Sequence, residues 1–252
     1  MSGWQALAVL VAGIWAGTIN TVVGSGTLLS FPVLLAVGLP PVTANVSNTV
    51  GLAPGSLTGA VGYRRELAGQ SRRVATLGVA SVIGGGIGAV LLLTLPADAF
   101  EAVVPVLIVI ALVLVVFQPR LAGWSAARHD GATRSSVTPL LWGLVLATGV
   151  YGGYFGAAQG VILIAVMAVL LDDDLQRING MKNVLAFLAN AVAAVVFVLT
   201  AHVNWTAAGL IALGAVLGGL LGARIGRRLS PVALRAIIVL VGVAAIAKLL
   251  FT

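Results

Sequence analysis

The chain has 252 residues, 60% of them apolar and 8% charged, with a formal charge of +7. A soluble domain carries about 25% charged residues, so a water-facing surface over most of the molecule is excluded, and the absence of cysteine excludes disulfides, thiolate metal sites and a cysteine nucleophile. The basic residues stand in short loops between apolar runs, where the positive-inside rule places them, so the charge is not read as a nucleic-acid footprint.

Ten apolar segments follow one another along the chain. The first five cover roughly 4–22, 26–38, 43–62, 74–95 and 100–117. The other five cover roughly 138–156, 160–171, 178–199, 205–223 and 232–250. Several approach the roughly 20 residues that a membrane-spanning helix needs, and they lack the short alternation of barrel strands. The start, Met1-Ser2-Gly3-Trp4, lacks the basic region and cleavage site of a signal peptide and is read as part of the first helix. The predicted fold is an all-α polytopic integral membrane protein of about eight to ten hydrophobic helical segments. A polar stretch with Arg120, Arg128, His129, Asp130 and Arg134 divides it. The expected organisation is a first membrane repeat over 1–118, a cytoplasmic linker over 119–137 and a second membrane repeat over 138–252. Both histidines, His129 and His202, fall in predicted loops.

The halves read as repeats. Gly13, Gly17 and Gly24 match Gly149, Gly153 and Gly160 at an offset of 136, which also pairs Ser47 with Asn183, Pro54 with Asn190 and Val46 with Lys182. Gly84 and Gly88 match Gly218 and Gly222 at 134. The second segment of each half is too short to cross a ~30 Å hydrocarbon core. Each follows a glycine-rich break, Val23-Gly24-Ser25-Gly26-Thr27 in one half and Gly152-Gly153-Tyr154-Phe155-Gly156 in the other. Short, interrupted segments at matching places in two halves point to a transporter binding site. Arg64, Arg65, Arg72, Arg73, Arg177, Arg224, Arg227 and Arg228 fall in loops on one side, read as the cytoplasm. Five segments per half is odd, so the repeats are expected to be inverted.

Polar residues at membrane depth are costly and usually functional. Asn179, Asn183 and Asn190 share one face of the eighth segment, with Lys182 beside them. The corresponding face of the third segment holds Thr43, Ser47 and Pro54. Asn20, Thr21, Gly24, Ser25, Gly26 and Thr27 surround the first break, and Gly156, Gln159 and Gly160 the second. Helix starts at such breaks present amide donors and a positive dipole end. Two of them from inverted halves would converge on one anion, with Lys182 as the single cation. Two competing roles stand beside this: a lysine whose ammonium snorkels to the interface, and asparagines that serve as interhelical glue. Asp172-Asp173-Asp174 is a solvated loop or a gate at the cytoplasmic mouth. No segment holds a deep carboxylate, so outward flow of an anion down the membrane field fits better than proton-coupled uptake. No cofactor, metal site or catalytic set is expected.

The run Ala16-Gly17-Thr18-Ile19-Asn20 through Gly24-Ser25-Gly26-Thr27-Leu28-Leu29, then Pro32 and Gly38-Leu39-Pro40-Pro41, resembles the opening of the TauE/SafE sulfite-exporter family. Asn45 to Gly59, Ile178-Asn179-Gly180-Met181-Lys182-Asn183 and Gly222-Ala223 extend the resemblance over nearly the whole chain. It implies an inner-membrane transporter, by class an exporter, of a small sulfur-containing anion such as sulfite or an organosulfonate. The first break departs from the family's longer glycine run, which bears on the choice of anion. The expected partners are that anion and the lipid bilayer. The alternatives are a carrier of another small organic or inorganic anion, or a non-transporting membrane scaffold.

Overall fold

A computed structural model describes residues 1–126, 136–225 and 231–251. Among these there are ten helices and no strand: α1 Gly3–Val22, α2 Thr27–Ala36, α3 Pro41–Gly62, α4 Ser71–Thr94, α5 Ala97–Ala126, α6 Pro139–Tyr154, α7 Gln159–Leu170, α8 Leu175–Thr200, α9 Trp205–Ile225 and α10 Pro231–Phe251. Local chemistry sets several starts. Ser2 and Gln5 form a capping box on α1. Thr138 caps α6 ahead of Pro139 at its first position, and Asp174 caps α8. The side chain of Asn204 accepts from Ala207 N at the start of α9. α5 continues to Ala126, past the expected end at 117; His129, Asp130 and Arg134 lie outside the described residues.

Five described helices are long and apolar enough to cross a membrane: α1, α4, the Ala97–Phe117 part of α5, α8 and α9 up to Arg224. Their packing inverts the soluble pattern. On α4 the small residues Ala80, Gly84, Gly85 and Gly88 face inward while Val79, Ile83, Ile87 and Val90 face out. Lipid tails are as apolar as these side chains, so close backbone approach rather than expulsion from water holds such helices together. A Cβ at Gly84 or Gly88 would overlap the backbone of α6 near Val150, and one at Gly214 or Gly218 would overlap α1 near Ile14.

These contacts fix helix directions. Gly13 and Gly17 pack on Ile211 and Ala215, so α1 runs parallel to α9; Gly51 and Gly55 pack on the same two residues, so α3 does too. Gly149 and Gly153 pack on Ser81 and Gly85, and Gly85 on Ala189, so α4 is parallel to α6 and α8. The two sets run in opposite senses, because Gly59 near the end of α3 meets Asn183 near the start of α8. Exchanging α1–α5 with α6–α10 turns α1 on α9 into α6 on α4, and α3 on α9 into α8 on α4, and all four packings are present. The arrangement is consistent with two halves of inverted sense.

The contacts also correct the register of the repeat. Gly84 and Gly88 play against α6 the part that Gly214 and Gly218 play against α1, so their counterparts lie 130 residues on, not 134. α9 carries three glycines at four-residue spacing, Gly214, Gly218 and Gly222, and sequence alone cannot choose between registers one turn apart. By the same contacts Gly55 on Ala215 answers to Ala189 on Gly85, an offset of 134 between α3 and α8. That pairs Asn45 with Asn179 and Asn48 with Lys182, in place of Ser47 with Asn183 and Val46 with Lys182.

The two short helices turn back rather than continue. Val137 ahead of α6 and Arg177 on α8 line one cavity with Arg72 and Arg73, and Asp173 just after α7 bonds Arg73. Both outer ends of the α6–α7 hairpin are therefore at the arginine-bearing end. α2 passes through a four-residue turn into α3, whose early residue Ser47 bonds Asn204 N at the other end of the bundle. The α1–α2 hairpin thus enters from the opposite end. The two tips meet inside, where Gly160 N donates to Gly24 O at 3.0 Å.

Candidate functional site

Both breaks are built by residues that can hold a left-handed backbone. In the first, Ile19 O accepts from Val23 N at 2.7 Å and Gly24 N at 2.9 Å, and Gly24 takes φ +93°. In the second, Tyr151 O accepts from Phe155 N at 2.9 Å and Gly156 N at 3.0 Å, and Gly156 takes φ +74°. Gly24 therefore corresponds in conformation to Gly156, while Gly160, its match at constant offset, is the residue it touches. Ala158 at φ 59° completes the second turn, with Tyr151 Oη donating to Ala157 O at 2.5 Å. Glycine is required where the tips meet, since a Cβ on Gly24 or Gly160 would overlap the other's Cα.

Where α1 ends, its carbonyls lose their intrahelical partners. α8 supplies replacements. Lys182 Nζ donates to Asn20 O at 2.9 Å and Thr21 O at 3.0 Å. Asn183 Nδ2 reaches Thr21 O at 3.3 Å and Asn179 Nδ2 at 3.5 Å. Lys182 is fully buried and has no carboxylate within ion-pair reach among the described residues. Its charge is met instead by the negative end of the α1 dipole. The ammonium has three donors, and two are spent on α1. Asn20 donates its own amide to Ser56 Oγ at 3.1 Å.

The opposite tip is held the same way with neutral groups. Asn45 Nδ2 donates to Tyr154 O, the last residue of α6, at 2.9 Å. Asn48 Nδ2 stands 3.5 Å from Thr27 Oγ1 at the start of α2. Ser25 Oγ, Gln159 Nε2 and the Oδ1 atoms of Asn45, Asn48 and Asn179 are buried without a hydrogen-bond partner among the described residues. A few unpaired polar atoms are ordinary in a whole protein, but five gathered around one junction mark a place where polar company is needed.

Of the residues singled out from sequence, the structure gathers Asn20, Thr21, Gly24, Ser25, Gly26, Thr27, Gly156, Gln159, Gly160, Asn179, Lys182 and Asn183 around the tips. Three lie apart. Ser47 caps the approach to α9 through Asn204 N at 2.9 Å. Pro54 is exposed on the outer face of α3. Asn190 is two turns beyond Asn183, roughly 10 Å along the axis. The starts of α2 and α7 are also unequal. Gln159 N, Gly160 N and Val161 N are bonded to Gly156 O, Gly24 O and Ala158 O, so the first amides of α7 are already used. Asn45 and Asn48 were not singled out from the sequence, although the offset of 134 marks them opposite Asn179 and Lys182.

Buried polar side chains at the junction of two broken helix pairs, inside a shell of lipid-facing apolar helices, define a membrane transporter. Residues 9–249 match the family described as sulfite exporter TauE/SafE, and the chain belongs to that family. It is 25% identical to a probable membrane transporter protein of Haemophilus influenzae over 252 residues, covering 99% of this chain and 96% of that one. It is 25% identical to the probable membrane transporter protein YfcA of Escherichia coli K12 over 237 residues, 94% and 86% of the two chains. With the probable membrane transporter protein ORF9 of a Sinorhizobium species it shares 26% identity over 242 residues, 95% and 90% of the two.

Proposed function

We propose that the chain carries a small sulfur-containing oxyanion, sulfite or an organosulfonate, across the inner membrane at the meeting point of the two hairpin tips. The observation that carries this reading is Lys182, a fully buried ammonium bonded only to the carbonyls of Asn20 and Thr21 among the described residues. A buried charge without an ionic partner is costly, and a transported anion supplies that partner transiently. Leu28 N, Leu29 N and Ser30 N are bonded to Ser25 O and Gly26 O, so the third N–H of Lys182, Ser25 Oγ, Gln159 Nε2 and Thr27 N at the start of α2 are the donors that would face it. Asn179 and Asn183 hold the end of α1 in position, and Gly24, Gly26, Gly156 and Gly160 allow the close approach.

The arginine-bearing end is read as cytoplasmic. A monoanion leaving a negative-inside cell gains ~2.3 kcal/mol per 100 mV, which favours export without a coupled proton. The test is flux in proteoliposomes of the purified chain with sulfite, sulfoacetate, taurine, sulfate, acetate and chloride, with the membrane potential set by a potassium gradient. Selective, potential-driven movement of sulfite or a sulfonate supports the reading. Faster movement of acetate or chloride transfers it to a general anion carrier, and no flux of any anion leaves a scaffold.

A further inference from the structure

A second polar site lies apart from the hairpin tips, at the end of the bundle where α4, α6 and α8 begin. A cavity of about 640 Å³ opens there, lined among others by Arg72, Arg73, Thr76, Ser136 and Arg177, and no acidic residue lines it among the described residues. Asp173 stands at its edge in the turn between α7 and α8. One carboxylate oxygen bonds Arg73 Nη1 at 2.6 Å and the other bonds Arg177 Nε at 2.7 Å. Asp173 and Arg73 are mostly buried, at 13% and 15% exposure. Arg177 is further held by Ala68 O at 3.2 Å, while Arg72 is exposed.

A carboxylate spread across two guanidinium groups is the geometry that any small oxyanion takes on arginine. Here that place is filled by a residue of the chain itself, beside a cavity with room for a larger group and a third arginine to meet it. Asp173 also lies in the connection between α7 and α8: α7 ends three residues before it, and its neighbour Asp174 caps α8. Arg177 and Lys182 share α8, five residues and roughly 7.5 Å apart along the axis.

We propose that this pocket is an oxyanion site at the mouth of the pathway, and that Asp173 is its built-in competitor. An arriving sulfite, sulfonate or phosphate group takes over Arg73 and Arg177 and releases Asp173, loosening the α7–α8 turn next to the buried lysine. As an entry site for the transported anion it rests on the transport reading; as a pocket for the phosphate of an anionic lipid it does not.

The test is a thermal-shift titration of the full chain with sulfite and with inorganic phosphate, in nanodiscs of phosphatidylcholine. It is run in a Lys182→Met background, so that the hairpin-tip cation does not contribute. Asp173→Asn is expected to lower the half-saturating concentration about tenfold and Arg72→Gln/Arg177→Gln to raise it at least tenfold, the scale of one charge-assisted hydrogen bond. Titrations that neither substitution moves, in variants with unchanged helix content, overturn the pocket. Failure of the transport reading is seen separately, as absent flux in wild-type proteoliposomes while pocket binding persists. Adding phosphatidylglycerol assigns the source: loss of the soluble-anion response supports a lipid headgroup, and an unchanged response supports the free anion.

Discussion

Replacing Lys182 by Met removes the ammonium and keeps a chain of similar length in the same slot. Two interhelical hydrogen bonds are lost, at 2.9 and 3.0 Å to Asn20 O and Thr21 O. Such bonds in membrane helices average ~0.6 kcal/mol with a maximum near 1.7, so the loss is about 1–3 kcal/mol. It is offset by no longer burying an ammonium that no carboxylate accompanies, and Asn183 still holds Thr21 O at 3.3 Å. The variant is therefore expected to fold with stability within about 3 kcal/mol of wild type. Transport should suffer far more. Losing one hydrogen bond from a charged donor costs about 1.5–3 kcal/mol in binding, or ~10–150-fold in anion affinity. Thermal melting and sulfite flux, measured on the same proteoliposome preparation, separate the two. A Lys182→Met protein that moves sulfite at the wild-type rate would falsify the role given to the lysine, and a collapsed fold with no recoverable protein would make it a structural strut. Lys182→Arg is expected to fail as well, because its stem passes against Gly160, where a Cβ would already press on Lys182 Cδ.

Gly24→Ala and Gly160→Ala each place a methyl against the other's backbone and are expected to destabilise by about 1–3 kcal/mol, more for Gly24 because of its φ of +93°; Gly143→Ala, with nothing within 4 Å, should be neutral or stabilising by up to ~1 kcal/mol, and equal melting temperatures for all three would refute the close approach. Asn45→Ala removes the side-chain donor to Tyr154 O and should lower melting by ~0.6–1.7 kcal/mol and slow sulfite flux, whereas Asn179→Ala removes the longest of three bonds to Thr21 O, which keeps Lys182 and Asn183, and should cost less; a larger loss from Asn179→Ala would refute that sharing. Asn204→Ala removes the cap on Ala207 N at 3.0 Å, with an expected cost of about 1 kcal/mol and flux per folded molecule unchanged.

The helices and their interruptions were legible because both rest on local rules. Long apolar runs make spanning helices, and Gly24 and Gly156 supply the positive φ that each break requires. Lys182 with Asn179 and Asn183 was legible because residues three and four apart share a helix face. What failed was register. A constant offset of 136 holds for α1 and α6 but becomes 132 at the breaks, 134 for α3 and α8, and 130 for α4 and α9. The causes are visible: α6 unwinds one turn earlier than α1, and α7 is 12 residues long where α2 is 10. Holding 136 through those changes led to Ser47 and Pro54, which face Asn204 and the exterior, and passed over Asn45 and Asn48, which face the opposite hairpin. The use of Gly160 N on Gly24 O was not legible, since it depends on where two distant turns meet.

The corrected register changes what the pair of halves means for charge. Each broken helix that enters the bundle has a carbonyl end needing donors, and each receives an asparagine from the other half: Asn179 for α1, Asn45 for α6. Three residues on, the halves part, with Lys182 in one and Asn48 in the other. A second lysine at 48 would put two ammoniums near one junction without an acid, and each would oppose the other's burial. A second neutral residue at 182 would leave an anion with dipoles alone. One cation in an otherwise matched frame gives the junction a charge of +1, which a monoanion cancels and a dianion exceeds. On the proposed reading hydrogen sulfite and sulfonates with no second anionic group would match that charge, and sulfate and sulfoacetate, as dianions, would exceed it, although all present the same kind of oxygen to the same donors.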